Sequence, residues 1–151
     1  MNLSEFNTEE LEILGYGIDG IYFGLSVHEI IEIMVYIPVS PEENVNSVIE
    51  GTIMLRDEVV TVIDMASYLD LNESADKSKD RLIIVEVNKH KYAFHIHTIS
   101  EVNRVAMSDF KKPEDSSYGK HAGIVAGVIK TRDHMLTVLD FEKIISEIQT
   151  Y

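Results

Sequence analysis

Residues 49–64 read IEGTIMLRDEVVTVID, and residues 125–140 read VAGVIKTRDHMLTVLD. The two stretches lie 76 residues apart, and seven of their 16 positions are identical, among them the glycine, the Arg-Asp pair and the final aspartate. Both are rich in β-branched residues, a composition typical of strands. In the first stretch, Arg56, Asp57 and Glu58 interrupt two apolar runs, so we predict a β-hairpin with these three residues at its tip.

A second repeated block lies upstream of each of these stretches. A shift of 69 residues aligns six positions of one block with six of the other in the same order: Leu25, Val27, His28, Ile30, Glu32 and Ile33 with Phe94, Ile96, His97, Ile99, Glu101 and Val102. The two shifts differ by seven residues, which fall in the loop between the blocks, where insertions cost little. The sequence therefore predicts two similar small β lobes.

The boundaries of these lobes follow from a polar segment. Residues 72–80 contain no apolar side chain larger than alanine and are expected to be an exposed connector. The first lobe then spans about residues 10–71 and the second about residues 81–148. Each lobe is near the lower size limit for an independent core, so we expect the two lobes to share apolar surface within one domain.

Local signals add two further hairpins and one helix. Asp19-Gly20 suits a tight turn between two apolar runs, and Asn88-Lys89-His90 suits a second turn. Residues 141–148 show helical spacing of isoleucines, with Asp140 as a candidate N-cap. Asp140 and its repeat partner Asp64 are therefore expected to have the same structural role rather than to act in catalysis.

Composition and charge exclude several classes of function. The chain has 151 residues and no cysteine, which rules out a disulfide scaffold and a cysteine-ligated metal site. Its formal net charge is −13, and residues 1–55 contain ten acidic residues but no Lys or Arg. Such a chain repels nucleic acid and anionic lipid. No apolar stretch is long enough to insert into a membrane, and no signal peptide is evident, so a cytoplasmic location is expected.

Candidate catalytic and metal-binding residues are few. No phosphate-binding loop, nucleophile elbow or HExxH zinc motif is present, so we predict no enzyme activity and no cofactor. His95 and His97 form the only metal-like spacing, because alternation along a strand places both rings on one face. We expect instead that this face is polar and that both histidines are exposed. The histidines leave open an alternative function as a small-molecule or metal-binding β-barrel sensor.

Arg56 has two interpretations. It is the first cation of the chain and lies at a predicted hairpin tip. There it either makes a local contact with a carboxylate in a solvated turn or holds a cation at a recognition surface, where arginine can pair with a partner's carboxylate in bidentate fashion.

Residues 48–65 resemble the signature of the CheW-like domain, the coupling module of bacterial chemotaxis. The matching residues are VIEGTIMLR, followed after two residues by VVTVIDM, and the upstream block around Phe23-Gly24-Leu25 also fits. The resemblance covers about residues 10–148. Within the family, the strand FHIH at residues 94–97 and the ending at residues 139–144 are most similar to the N-terminal coupling domain of CheV, which normally continues into a receiver domain. The chain is therefore expected to be either such a domain without its receiver or a stand-alone coupling protein of the CheW type. Two positions depart from the family pattern, with Asp57 in place of a glycine and Thr61 in place of a proline.

The resemblance implies a fold and a function. The fold would be two five-stranded SH3-like β-barrels packed around a shared core, with a short C-terminal helix. The protein would be a non-enzymatic adaptor between the cytoplasmic tip of methyl-accepting chemoreceptors and the regulatory domain of the histidine kinase CheA, recruited to membrane-associated receptor arrays. By resemblance, Ile30, Glu32 and Ile33 contribute to kinase contact, and Arg56 lies on the receptor-contacting side.

Overall fold

The computed structural model describes residues 10–42, 46–112 and 119–149, and these residues form 11 strands and two α-helices. The strands are β1 (Glu10–Ile18), β2 (Ile21–Ser26), β3 (Glu32–Val35), β4 (Ile49–Leu55), β5 (Glu58–Asp64), β6 (Arg81–Val87), β7 (His90–Ile96), β8 (Thr98–Ala106), β9 (Phe110–Lys111), β10 (Val125–Lys130) and β11 (Met135–Leu139). The helices are α1 (Met65–Tyr68) and α2 (Phe141–Gln149). Among these residues, no helix has the length and hydropathy needed to cross a bilayer.

The strands form two sheets with the same internal order. One sheet has five strands in the order β3-β6-β7-β5-β4, and the other has the order β8-β1-β2-β11-β10 with the two-residue strand β9 added at its edge. A bridge between Ser40 and Thr52 joins the segment after β3 to β4 and closes the five-stranded sheet into a barrel. The predicted fold class, two β-barrels with a C-terminal helix, is confirmed, and the second barrel has six strands because of β9.

The two halves of the chain exchange their first hairpins. The five-stranded sheet combines β3, β4 and β5 of the first half with the β6–β7 hairpin of the second, whereas the β1–β2 hairpin joins the other sheet. The predicted lobes at residues 10–71 and 81–148 are therefore wrong as spatial units. The sequence repeat is real, but the chain crosses from one barrel to the other just after β2 and again after β7, so neither half contains a complete barrel.

Three predicted hairpin turns are present. Asp19-Gly20, Arg56-Asp57 and Asn88-Lys89 each place two consecutive residues at positive φ, between 47° and 76°. Two such residues characterise the tight turn whose twist matches that of the flanking strands. Asp57 replaces the family glycine at φ 67°, a conformation that aspartate tolerates better than most residues.

The repeated glycines mark equivalent β-bulges. The pairing of β4 with β5 shifts between Ile49 and Gly51, and the pairing of β10 with β11 shifts between Val125 and Gly127. A Cβ atom at Gly51 would lie 2.0 Å from the Ser40 carbonyl oxygen, and one at Gly127 would lie 2.4 Å from the Phe110 ring. Both glycines allow a neighbouring segment to approach the bulge closely.

The apolar residues form one shared core and one interior cluster in each barrel. The first barrel encloses Ile53, Val60, Val62, Leu82, Ile84 and Ala93. The second encloses Ile13, Val105, Ile129, Leu136 and Val138. The largest cluster combines β-strands of both barrels with α2, and its bulkiest fully buried members include Tyr16, Phe94 and Phe141. Strands such as β6 contribute alternate residues to a barrel interior and to the shared core.

Asp64 and Asp140 have equivalent capping roles, as the repeat predicts. The Asp64 carboxylate accepts a hydrogen bond from the Ser67 amide at the start of α1, and the Asp140 carboxylate accepts one from the Lys143 amide in α2. The backbone amides of the two aspartates each donate to a residue 16 positions earlier, Val48 and Ile124 respectively, at 2.8 Å. Both aspartates therefore begin a helix and anchor it to the bulged strand.

The connector at residues 72–80 is exposed along most of its length, but it ends in a buried residue. A 3-10 turn at Lys77–Lys79 precedes Asp80, which is almost completely inaccessible to solvent. The expectation of a wholly exposed connector is wrong at this position, because the Asp80 side chain bonds to groups inside the first barrel.

Candidate functional site

Two of the candidate partner-binding residues, Arg56 and Glu32, form an ion pair. The Arg56 guanidinium lies at the tip of the β4–β5 hairpin and approaches both oxygens of the Glu32 carboxylate on β3, through Nη1 to Oε1 and through Nη2 to Oε2 at 3.3 Å. The hydrogen bond from Arg56 holds the pKa of Glu32 below its usual range, and the pKa of Arg56 is raised in return. The Arg56 side chain remains mostly exposed, so it can still be reached by a partner.

Strand β3 and the residue just before it present a row of aliphatic side chains to solvent. Ile31, Ile33 and Val35 are 44%, 40% and 55% exposed, at alternate positions along the chain. Ile30, the third candidate for kinase contact, is half-buried and packs against the shared core. Of the two candidate isoleucines, Ile33 is therefore the more accessible.

The opposite face of β3 points into the first barrel. Met34 and Tyr36 pack against its interior cluster, and alternation places Glu32 on the same face. Along β7, Ala93 belongs to the interior cluster, with Lys91 and His95 at the alternate positions on either side. Polar groups therefore lie on both sides of the apolar interior. The Arg56–Glu32 pair lies on the side of Lys91, and a second cluster lies around His95 on the other side.

The second cluster is built from residues far apart in the chain. The imidazole Nδ1 of His95 contacts Oε1 of Glu50 on β4, and Nε2 lies 2.6 Å from Oδ2 of Asp80. Ser74 donates to the same Asp80 oxygen at 2.7 Å, and the Tyr36 hydroxyl donates to Oε2 of Glu50 at 2.5 Å.

The electrostatics of this cluster favour a charged histidine. Burial acts to lower the pKa of His95, but its contacts with the Glu50 and Asp80 carboxylates outweigh burial and leave the pKa raised. Burial likewise acts to raise the pKa of Glu50, yet hydrogen bonds with His95 and Tyr36 hold it below its usual range. The Tyr36 ring also stacks on the His95 ring with centroids 4.3 Å apart, a geometry that favours a cationic imidazole.

The two histidines do not form the predicted exposed pair. His95 is buried, because the face of β7 opposite Phe94 is a barrel interior rather than solvent. His97 is half-buried, and its Nδ1 accepts a hydrogen bond from the Asp19 amide. Their ring centroids are 6.3 Å apart, and three of the four ring nitrogens have protein partners.

Another trio of side chains has the spacing of metal ligands. Glu50, Asp64 and His95 place one donor atom each within 4.8 Å of one another. The donor atoms of Glu50 and His95 bond to each other, and the second Glu50 oxygen bonds to Tyr36. Glu50 and His95 therefore belong to one hydrogen-bonded cluster, and the Asp64 carboxylate, which also caps α1, lies beside it.

The second barrel carries residues at the positions of the first ion pair but has no counterpart of the His95 cluster. Glu101 and Arg132, the repeat partners of Glu32 and Arg56, line one cavity of about 330 Å³. At the positions of His95 and Glu50 the second barrel has Ser26 and Ala126. Two barrels of similar topology thus differ in their polar groups.

The family model described as the CheW-like domain matches residues 12–149. The chain is 25% identical over 144 residues to the chemotaxis protein CheW of Treponema pallidum, covering 93% of this chain and 85% of the relative. It is 26% identical to the chemotaxis protein CheV3 of Helicobacter pylori, covering 99% of this chain and 50% of that relative.

A solved structure has the same fold. The crystal structure of the scaffolding protein TtCheW from Thermoanaerobacter tengcongensis superposes with a TM-score of 0.80 at 22% identity, covering 85% of this chain and 83% of that one. At this identity the likeness concerns the fold, whereas the family match extends over nearly the whole sequence. The chain belongs to the CheW-like domain family.

Proposed function

We propose that this chain, a chemotaxis adaptor of the CheW-like family, binds the regulatory domain of the kinase CheA through β3 and a chemoreceptor tip through the β4–β5 hairpin. The observation that carries the proposal is the row of exposed aliphatic side chains on an edge strand, next to an exposed arginine. The role is non-enzymatic, since an adaptor needs only two binding surfaces. We place its action in the cytoplasm, at membrane-associated receptor arrays.

The β3 face has the composition of a protein interface. Ile31, Ile33 and Val35 supply an apolar centre, and Glu32 with Arg56 supplies a polar rim. Interfaces of this kind bind through a few apolar anchors surrounded by polar groups that exclude water. Three exposed aliphatic side chains in a row are otherwise a liability for aggregation, which favours a partner that covers them.

The β4–β5 hairpin supplies the second surface. Met54 and Val59 pair across the hairpin on its outer face, and both are largely exposed. Arg56 projects from the tip beyond them, and the guanidinium can pair with a carboxylate on an acidic receptor segment. The hairpin therefore offers two apolar anchors and one cation for the receptor.

Substituting Ile33 with aspartate tests the kinase-binding surface. We expect the affinity for the CheA regulatory domain to fall about tenfold or more, because a charge would replace an apolar anchor, a loss of roughly 1.4 kcal/mol. The melting temperature should change little, since the side chain is already exposed. Titration calorimetry and thermal denaturation measure the two quantities.

Val102→Asp is the matched control for this substitution. Val102 is the repeat partner of Ile33, lies on the equivalent strand of the second barrel and is 49% exposed. Its substitution should leave kinase affinity unchanged. Equal losses in the two variants would show that the binding surface is not on β3, and a large fall in melting temperature for Ile33→Asp alone would make Ile33 a core residue.

A charge swap separates the two roles of Arg56. Arg56→Glu should weaken receptor binding, because the hairpin tip loses its cation. In the double variant Arg56→Glu with Glu32→Arg, the ion pair is restored in reverse, yet we expect receptor affinity to remain low because a carboxylate still occupies the tip. Recovery of wild-type affinity in the double variant would instead mean that Arg56 acts only by pairing with Glu32.

The proposed function as a whole has a direct test. Titration of the chain with the CheA regulatory domain and, separately, with a receptor-tip fragment should show binding to each. Absence of binding to both at about tens of micromolar would contradict the proposal.

A further inference from the structure

His95 joins three separate segments of the first barrel. Both of its ring nitrogens face carboxylate oxygens, Nδ1 toward Glu50 and Nε2 toward Asp80. An ionised carboxylate can only accept hydrogen bonds, and an imidazole donates from both nitrogens only when it is protonated on both. The geometry therefore fits an imidazolium that donates in two directions.

We propose that the His95 imidazolium is a latch, operated by a single proton, that holds the end of β3 and the beginning of β4 against β7. Loss of the Nδ1 proton opens this latch at Glu50, whereas Asp80 stays bound. The proposal concerns the fold of the first barrel and does not depend on which partner binds there.

Tyr36 connects the latch to the edge strand. It directly follows β3, and its backbone amide donates to the Asp80 carbonyl at 3.0 Å. Its hydroxyl donates to Glu50 and its ring stacks on His95. A neutral imidazole weakens both side-chain contacts, because stacking on a cation is lost and Glu50 is no longer held. Of these three contacts of Tyr36, only the backbone bond to Asp80 does not depend on the proton of His95.

The two carboxylates differ in how easily they can move away from His95. Only 2% of the Asp80 side chain is exposed, and Ser74 holds the oxygen that faces His95. The Glu50 side chain is 17% exposed and has one more rotatable bond. A neutral ring retains one N–H. Leaving Asp80 without this donor would cost more free energy than leaving Glu50 without it, because Asp80 is the more deeply buried carboxylate. Opening therefore occurs on the Glu50 side.

The charged groups around His95 favour its protonated form. The titratable groups that face it from the packed segments are Tyr36 after β3, Glu50 on β4, Asp64 on β5, Asp80 before β6 and His97 after β7. Three of these five groups are carboxylates, and only one, the His97 imidazole, can carry a positive charge. This excess of negative charge agrees with the raised pKa of His95. Because the folded-state pKa is raised, the contribution of the latch to stability is complete below about pH 6.5, the usual histidine pKa, and is lost as the pH rises through the folded value.

Long-range ¹H–¹⁵N NMR of the full chain tests the latch. At about pH 7 we expect both ring nitrogens of His95 to be protonated, and at higher pH we expect the Nε2–H tautomer. The hydrogen-exchange protection of the Tyr36 amide, measured against its intrinsic rate, should fall at least tenfold with the same midpoint. A His95 ring that is neutral at pH 7, or Tyr36 protection that does not change with pH, would overturn the proposal.

Variants distinguish opening of the latch from a general loosening of the fold at alkaline pH. Glu50→Gln should leave His95 as the neutral Nε2–H tautomer near pH 7 and remove the pH dependence of Tyr36 protection. His28→Gln is the matched control, because His28 is an exposed histidine outside the cluster, and it should behave as wild type. If Glu50→Gln does not fold, the protonation state and Tyr36 exchange of the wild type still decide the matter, and a pH response unchanged in a folded Glu50→Gln contradicts the latch.

Discussion

Replacing Phe94 with alanine is expected to lower the free energy of unfolding by about 3–5 kcal/mol, the usual cost of truncating a fully buried phenylalanine. Phe94 lies on β7, is inaccessible to solvent and stacks on Phe141 of α2 with ring centroids 3.9 Å apart. The cavity would open in the shared core, which contains side chains of both barrels. The loss should therefore destabilise the two barrels together.

Urea denaturation followed by circular dichroism measures this effect, and amide exchange shows whether it reaches both barrels. Phe110→Ala is the control, because Phe110 is half-buried on β9 and packs against the interior cluster of the second barrel. It should cost distinctly less. Two separate unfolding transitions for Phe94→Ala, or protection lost in one barrel only, would show that the shared core does not couple the barrels.

The coupling follows from an arrangement that the sequence could not reveal. The repeat predicts two copies of one strand order, and this is correct. It does not say which copy of the hairpin joins which sheet, because β1–β2 and β6–β7 have similar patterns and either could pair with β3 or with β8. In the structure the two halves of the chain exchange these hairpins. The polar connector at residues 72–80 therefore does not mark a boundary between the two barrels.

The local features were more predictable than the site. Hairpin turns and the caps at Asp64 and Asp140 depend on neighbouring residues, so short motifs suffice to predict them. The His95 cluster depends on barrel closure, which brings together Glu50 and Asp80, 45 and 15 residues away from His95. Alternation correctly places His95 opposite Phe94, but it cannot show that both faces of a barrel strand are buried.

Arg56 illustrates the same limit. The sequence predicts its position at a hairpin tip and offers a local contact with a carboxylate as one of two interpretations. The partner is Glu32, which the family resemblance had assigned to a different surface. Because the two edge strands of the five-stranded sheet meet when the barrel closes, the proposed kinase and receptor surfaces adjoin at this ion pair.

Replacing Gly51 with alanine is the second change with a large expected effect, a loss of about 2–4 kcal/mol from backbone strain and overpacking together. Gly51 has φ 148°, and a Cβ atom would lie 2.0 Å from the carbonyl oxygen of Ser40 and 2.7 Å from its carbonyl carbon. Backbone atoms cannot rotate away as the end of a side chain can. The pair of hydrogen bonds between Ser40 and Thr52, each 2.9 Å long, would have to separate.

Substitutions at two other glycines serve as comparisons for this prediction. Gly20 also has a positive φ, 76°, but no atom lies within 4 Å of the Cβ position, so Gly20→Ala isolates the conformational cost, about 1 kcal/mol. At Gly127 the nearest obstacle is the far end of the Phe110 ring, which can turn, with the Lys111 carbonyl oxygen at 2.9 Å behind it. Chemical denaturation should therefore rank the losses Gly51→Ala above Gly127→Ala above Gly20→Ala.

The ranking tests what closes the first barrel. Ser40 lies five residues after the end of β3, so parting it from Thr52 removes the only isolated bridge among the described residues and loosens the segment that leads from the proposed kinase surface to β4. Gly51→Ala should then lower kinase affinity as well as stability, whereas Gly127→Ala should lower stability with kinase affinity retained. Equal costs at Gly51 and Gly20 would mean that the Ser40–Thr52 bridge is dispensable and that the barrel is held by its apolar interior alone.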